Sequence, residues 1–154
     1  SWDVLYQEKK NAIFELLREG AVHLMPGVEK LLYALEDAGI KRCVVTHSPD
    51  ELVAIVRKKH PILNTIPHWI TREHYSKPKP DPECYLKAVE VHASPDDQVI
   101  GFEDTPRGIT ALMATRAKPV LICEAGYPEI AEFKALGVLH FPTFDSIPDD
   151  KSLS

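Results

Sequence analysis

Apolar residues in this chain gather in short runs, and each run leads into a segment of helical period. The runs lie at 40–47 (IKRCVVTH), 69–71 (WIT), 98–103 (QVIGFE), 119–123 (PVLIC) and 138–141 (VLHF). Strands that are apolar on both faces are buried on both faces, and helices between them must supply the cover. The alternation predicts an α/β fold: a Rossmann-like parallel sheet with helices on both sides. Helical stretches are expected at 28–39, 48–60, 81–91, 105–115 and 128–137. Gly39 and Gly137 read as helix stops. Ser48, Pro49 and Glu51 read as N-cap, N1 and capping-box partner. Asp81 before Pro82, and Thr105 before Pro106, read as further caps. Pro78 and Pro80 forbid a helix and are expected to hold 75–83 extended.

Charge and composition narrow the partners. A net charge of −5 with no basic cluster among aromatics argues against nucleic acid or an anionic membrane as main partner. No apolar run reaches the roughly 18 residues of a membrane span, and the opening residues carry no signal-peptide pattern, so a reducing cytoplasm is the expected location. Cys43, Cys84 and Cys123 are odd in number and far apart, which suits small buried residues and not a disulfide framework. The seven histidines lack metal-ligand spacing.

In an open α/β sheet, ligands bind beyond the carboxyl ends of the strands. Thr46 ends the first strand there, and Glu103 and Asp104 end the third. A proline-stiffened loop between them presents Lys77. Two adjacent carboxylates repel unless a cation neutralises them, and a hard ion such as Mg²⁺ with oxygen ligands does so. A hydroxyl with free N–H groups at a helix start suits phosphate oxygens. The set fits phosphoryl transfer, where positioning and charge stabilisation do most of the work. By spacing alone each residue also has a plainer reading. Glu103–Asp104 is equally a surface loop before a capped helix, Thr46 a hydroxyl bonded to backbone, and Lys77 a solvated charge. His47 contributes no more than its backbone N–H, Thr105 reads as a cap, and Lys79 and Arg107 read as surface charge.

Three segments in order, MPGVEKLLYALEDAGIKRCVVTHS (25–48), SKPKPDPECYLKAV (76–89) and VIGFEDTPRGITA (99–111), resemble the haloacid dehalogenase superfamily in its phosphatase and β-phosphoglucomutase-like branch. The resemblance runs from about residue 25 to 138. It implies that Thr46, with His47 beside it, binds the transferring phosphoryl group. It implies that Lys77 bridges the phosphoryl oxygens and the nucleophile. Asp104 would be an Mg²⁺ ligand, and Glu103 a ligand or the neighbour that supports one. In that family an aspartate attacks phosphorus and the resulting aspartyl-phosphate is hydrolysed, on a small phosphorylated metabolite. Two departures stand out. The family has glycine near Arg116, and its Asp-x-Asp nucleophile motif is absent from these residues. Residues 1–24 resemble the last helix of a helical cap and its return linker, and residues 25–154 the core without its first, central strand. The expectation is a fragment of a longer enzyme, inactive alone, pairing with a missing N-terminal segment or another chain. The alternative is a phosphate-binding or protein-interaction module without the nucleophile.

Overall fold

A computed structural model describes residues 23–148; the cap helix expected within residues 1–24 lies outside the described residues. Among the described residues five short strands form, β1 (Cys43–Val45), β2 (His68–Ile70), β3 (Ile100–Glu103), β4 (Lys118–Ile122) and β5 (Leu139–Phe141). Five α-helices accompany them among the described residues: α1 (Val28–Asp37) precedes β1, and α2 (Asp50–Lys59), α3 (Glu83–His92), α4 (Pro106–Met113) and α5 (Ile130–Ala135) lie between successive strands. All strand pairing is parallel, as the apolar runs predicted, with β1 beside β2 and β4 between β3 and β5.

The pairing divides into two sheets, because β1 and β3 share no ladder. Side chains span the junction instead. At its lower end the Lys41 ammonium donates to Ser94 Oγ at 3.2 Å and Asp97 Oδ2 at 2.8 Å. At its upper end Lys79 Nζ donates to Val45 O at 3.2 Å and to Glu103 Oε1 at 2.5 Å. α3 packs on both β1 and α4 and so closes the same junction from one side.

Two apolar clusters follow from this division. Leu32, Leu63 and Ile66 gather around β1 and β2 with Val44 and Trp69. Cys84, Ile109, Leu112, Leu121, Phe133 and Val138 form the larger cluster, against which Val45 also packs. Each such side chain contributes roughly 1.5–3 kcal/mol by leaving water. Cys84 and Cys123 are buried and Cys43 half-buried, all three free. Burial is the main cause of the raised pKa of each thiol.

The glycine stops form as read. Gly39, at φ 65°, follows α1, and Ile40 N bonds Leu35 O while Gly39 N bonds Glu36 O. Gly137, at φ 98°, closes α5 in the same way. Thr105 caps α4 by accepting from Gly108 N at 3.2 Å. Ser48 does not cap α2. The helix begins at Asp50, whose N–H is taken by Glu73 Oε2 at 3.1 Å, while Ser48 O accepts from Arg72 N. A carboxylate 23 residues away thus replaces the local cap. The segment expected to be extended is bent, since Asp81 N bonds Pro78 O. Asp81 still accepts from Glu83 N at the start of α3. Among the described residues no non-glycine residue has positive φ, so Arg116 needs no glycine; it donates to Asp97 O and Ser94 O.

His68, opening β2, and His92, closing α3, stack with ring centroids 4.1 Å apart. Burial, then the neighbouring His68, holds His92 below its ordinary pKa of 6.5. Such a group favours the neutral folded form. Its stabilising effect is intact above 6.5 and declines as pH falls below it, where the unfolded chain takes up the proton first. The urea midpoint is expected to fall between pH 7 and 5.5, and to fall less in His92→Phe. An identical pH slope in that variant would contradict this.

Candidate active site

Thr46 follows β1 directly. Its N–H donates to Ile70 O at 2.9 Å, and its Oγ1 accepts from Ser48 N at 3.1 Å. The loop therefore folds back over the hydroxyl, whose own proton remains to be donated. His47, next along, is exposed, and its Nδ1 lies 2.8 Å from Tyr75 Oη. Tyr75 Oη also donates to Thr46 O at 3.3 Å. Burial, then the positive charges of Arg72 and Lys79, lower the pKa of His47. Burial chiefly raises that of Tyr75, to about 12.

The upper end of the junction holds a compact polar cluster. Glu103 is only 8% exposed and Lys79 18%. Glu103 Oε1 accepts from Lys79 and from Tyr85 Oη, and Lys79 lies over the Tyr85 ring, 4.9 Å from its centroid. Burial, then the Glu103 charge, raises the pKa of Tyr85. Glu103 Oε2 rests against the first turn of α4, where only glycine leaves room. A methyl on Gly108 would overlap the Glu103 carboxyl carbon and Oε2. Glycine to alanine inside a helix ordinarily gains up to about 1 kcal/mol. At Gly108 the sign reverses, because overpacking costs roughly 1–3 kcal/mol. Thermal unfolding of Gly108→Ala should show a net loss of about 1 kcal/mol, and a gain would contradict the packing.

Asp104 is exposed beyond the end of β3. Its charge reaches Cys123 at the end of β4, where it adds to burial in raising the thiol pKa. The ends of β1, β3 and β4 thus face one region. Val45 O, Lys79 and Glu103 form a continuous bonded link from the residue before Thr46 to the residue before Asp104.

Lys77 sits differently. Its backbone N–H and that of Ser76 bind the Glu83 carboxylate, each at 2.9 Å, and its side chain is exposed. Those two backbone bonds chiefly lower the Glu83 pKa. Lys77 lines a groove of about 450 Å³ with Asp81, Glu83, Leu86, Lys87 and Glu90, which holds none of Thr46, Glu103 or Asp104. The lysine brought into the strand-end region is Lys79, which had read as surface charge. No local signal separates the two in KPKP; only the turn at 78–81 does. Tyr75 and Tyr85 also carry no local signal, since an aromatic beside or on an apolar helix face reads as core.

Among the described residues, no group of three or more His, Cys, Asp and Glu side chains could hold a metal ion. The chemistry of the donor set still suits Mg²⁺, which keeps several waters and takes one or two carboxylates plus phosphate oxygens. Asp104 is the open carboxylate, whereas Glu103 is occupied by Lys79 and Tyr85. Among the described residues no helix is long and apolar enough to cross a membrane.

A family model described as haloacid dehalogenase-like hydrolase matches residues 3–122. Protein CbbY of Rhodobacter capsulatus is 26% identical over 121 residues, 76% of this chain and 53% of that protein. A phosphorylated carbohydrates phosphatase of Thermotoga maritima is 27% identical over 107 residues, 70% of this chain and 47% of that protein. The chain spans about half the length of these curated relatives. A crystal structure of an Entamoeba histolytica hydrolase of family IA, variant 3, superposes with a TM-score of 0.79 at 27% identity, covering 96% of this chain and 67% of that one.

Proposed function

The chain belongs to the haloacid dehalogenase-like hydrolases, and from that premise we propose that it forms part of an Mg²⁺-dependent phosphatase or phosphomutase. The substrate is a small phosphorylated metabolite. The observation that carries this reading is the Val45–Lys79–Glu103 link, which ties the residue before Thr46 to the residue before Asp104 and so supports one shared strand-end site. The relatives support it: one carries the name of a phosphatase of phosphorylated carbohydrates.

In this reading the Thr46 hydroxyl and the His47 N–H donate to phosphoryl oxygens. Lys77, whose exposed side chain lines the neighbouring groove, would have to turn from its loop toward the same oxygens, whereas Lys79 supplies a fixed positive charge between the strand ends. Asp104 would hold the metal, and Glu103 orients Lys79 beside it. Mg²⁺, when bound, neutralises charge that develops on the phosphoryl oxygens. The attacking aspartate, which would form an aspartyl-phosphate, is not supplied by the residues of this site, and the strand carrying it would add between β1 and β3. Among the described residues those two edges carry no ladder partner across the junction, which supports this placement. Alone, the chain would bind phosphate without turnover.

The test uses the protein at its natural length. Hydrolysis of p-nitrophenyl phosphate should stop with a chelator and return with Mg²⁺. Acid quenching with ³²P-labelled substrate should leave label on the protein that hydroxylamine removes. Turnover that persists without divalent cations, or the absence of any acyl-phosphate label, would overturn the mechanism.

A further inference from the structure

Tyr85 lies on the buried face of α3 with Cys84 and Ala88, and is 8% exposed. Packing accounts for its ring, and phenylalanine would pack the same way. Packing does not account for the hydroxyl, since a buried O–H costs stability unless it finds an acceptor. The acceptor here is a charged atom of the junction. Tyr85 Oη donates to Glu103 Oε1, the oxygen that also accepts from Lys79. The ring of the same residue faces the Lys79 ammonium, 4.9 Å from the ring centroid. Tyr85 therefore touches both members of the ion pair, one with its hydroxyl and the other with its ring. Burial, then the Glu103 charge, holds its pKa above the ordinary value, so the donor keeps its proton.

Glu103 is thereby fixed on three sides. Its Oε1 holds two donors, and its Oε2 meets the first turn of α4, where Gly108 leaves the room. Lys79 is fixed in turn by Glu103 Oε1, by Val45 O and by the Tyr85 ring. An ammonium has three N–H bonds, and those two acceptors use two of them. We propose that Tyr85 is a positioning residue of the strand-end site: by sharing Glu103 Oε1 with Lys79, it sets the direction in which the lysine presents its remaining N–H. This rests on the phosphoryl-transfer reading and adds to it a residue that touches no substrate. In that reading the remaining N–H meets a phosphoryl oxygen, and developing charge is best stabilised by a donor already aimed at it. Without the hydroxyl, Oε1 keeps only Lys79, the carboxylate is free to follow it, and the ammonium loses its fixed aim.

Tyr85→Phe keeps the ring and removes only the hydroxyl. In the protein at its natural length, hydrolysis of p-nitrophenyl phosphate with Mg²⁺ should lose about tenfold in kcat, the size of one weakened hydrogen bond to a charged group. KM should change by less than about twofold, as for a contact made in the transition state. In a Lys79→Met background the same substitution should change kcat by less than about twofold, because the group it positions is gone. A tyrosine that only fills the core would cost the same factor in both backgrounds. A second readout needs no turnover. The ring current of Tyr85 should hold the Lys79 ε-methylene protons upfield of those of exposed lysines, and in Tyr85→Phe this shift should shrink as the ammonium loses its fixed place. If Lys79→Met unfolds or turns over too slowly to compare, this resonance decides alone. Equal losses in both backgrounds, or a Lys79 resonance that Tyr85→Phe leaves in place, overturn the inference and leave the phosphatase reading standing. A parent protein that hydrolyses no phosphate ester overturns that reading instead, and the Lys79 resonance still decides whether Tyr85 positions the lysine.

Discussion

Lys79→Met should lower the unfolding free energy by about 3 kcal/mol, at the low end of the cost of breaking a buried ion pair. Lys79 is 18% exposed and Glu103 8%. Removing the ammonium leaves a carboxylate facing Tyr85 and the first turn of α4 without the ion pair that neutralised it. Val45 O loses its donor at the same time. The loss comes from the abandoned Glu103 more than from the missing bond. The double variant Lys79→Met/Glu103→Gln tests this directly. Glutamine keeps an acceptor for Tyr85 Oη and removes the charge, so stability should recover to within about 1 kcal/mol of the parent. Denaturant melts of the parent, both singles and the double form the cycle. Losses that simply add would show that Lys79 and Glu103 are not coupled.

Asp104→Asn should separate activity from stability. Asp104 is exposed beyond β3, and the substitution keeps its shape. Surface changes of this kind stay within about 0.5 kcal/mol in stability. If Asp104 holds the metal, loss of its charge should lower kcat/KM by at least about a hundredfold, the scale of losing one electrostatic contact to the transition state. Raising Mg²⁺ should recover part of the rate. Glu103→Gln behaves oppositely, because Glu103 anchors Lys79: it should cost stability as well as rate. Unchanged turnover in Asp104→Asn at limiting Mg²⁺ would remove Asp104 from the site. Equal melting losses in the two variants would remove the distinction between an open carboxylate and a buried one.

The two results divide along the line between local and long-range information. Helix and strand order, the glycine stops at 39 and 137 and the Thr105 cap were legible because each depends on neighbours within about one helical turn. The acidic pair at 103–104 and the hydroxyl at 46 were legible as strand-end groups for the same reason. Their division of labour was not, since adjacent carboxylates look alike until one is buried beside Gly108, Tyr85 and Lys79. Likewise KPKP offers two equivalent lysines. The bend at Pro78–Asp81 and the desolvation supplied by α3 and β3 send Lys79, and not Lys77, into the junction. The Ser48 cap failed because Glu73 arrives from 23 positions away to take the Asp50 N–H. Periodicity and capping therefore determined the architecture from the sequence alone. Which charge is buried and which stays open depended on groups 18 to 34 positions apart meeting where water is excluded.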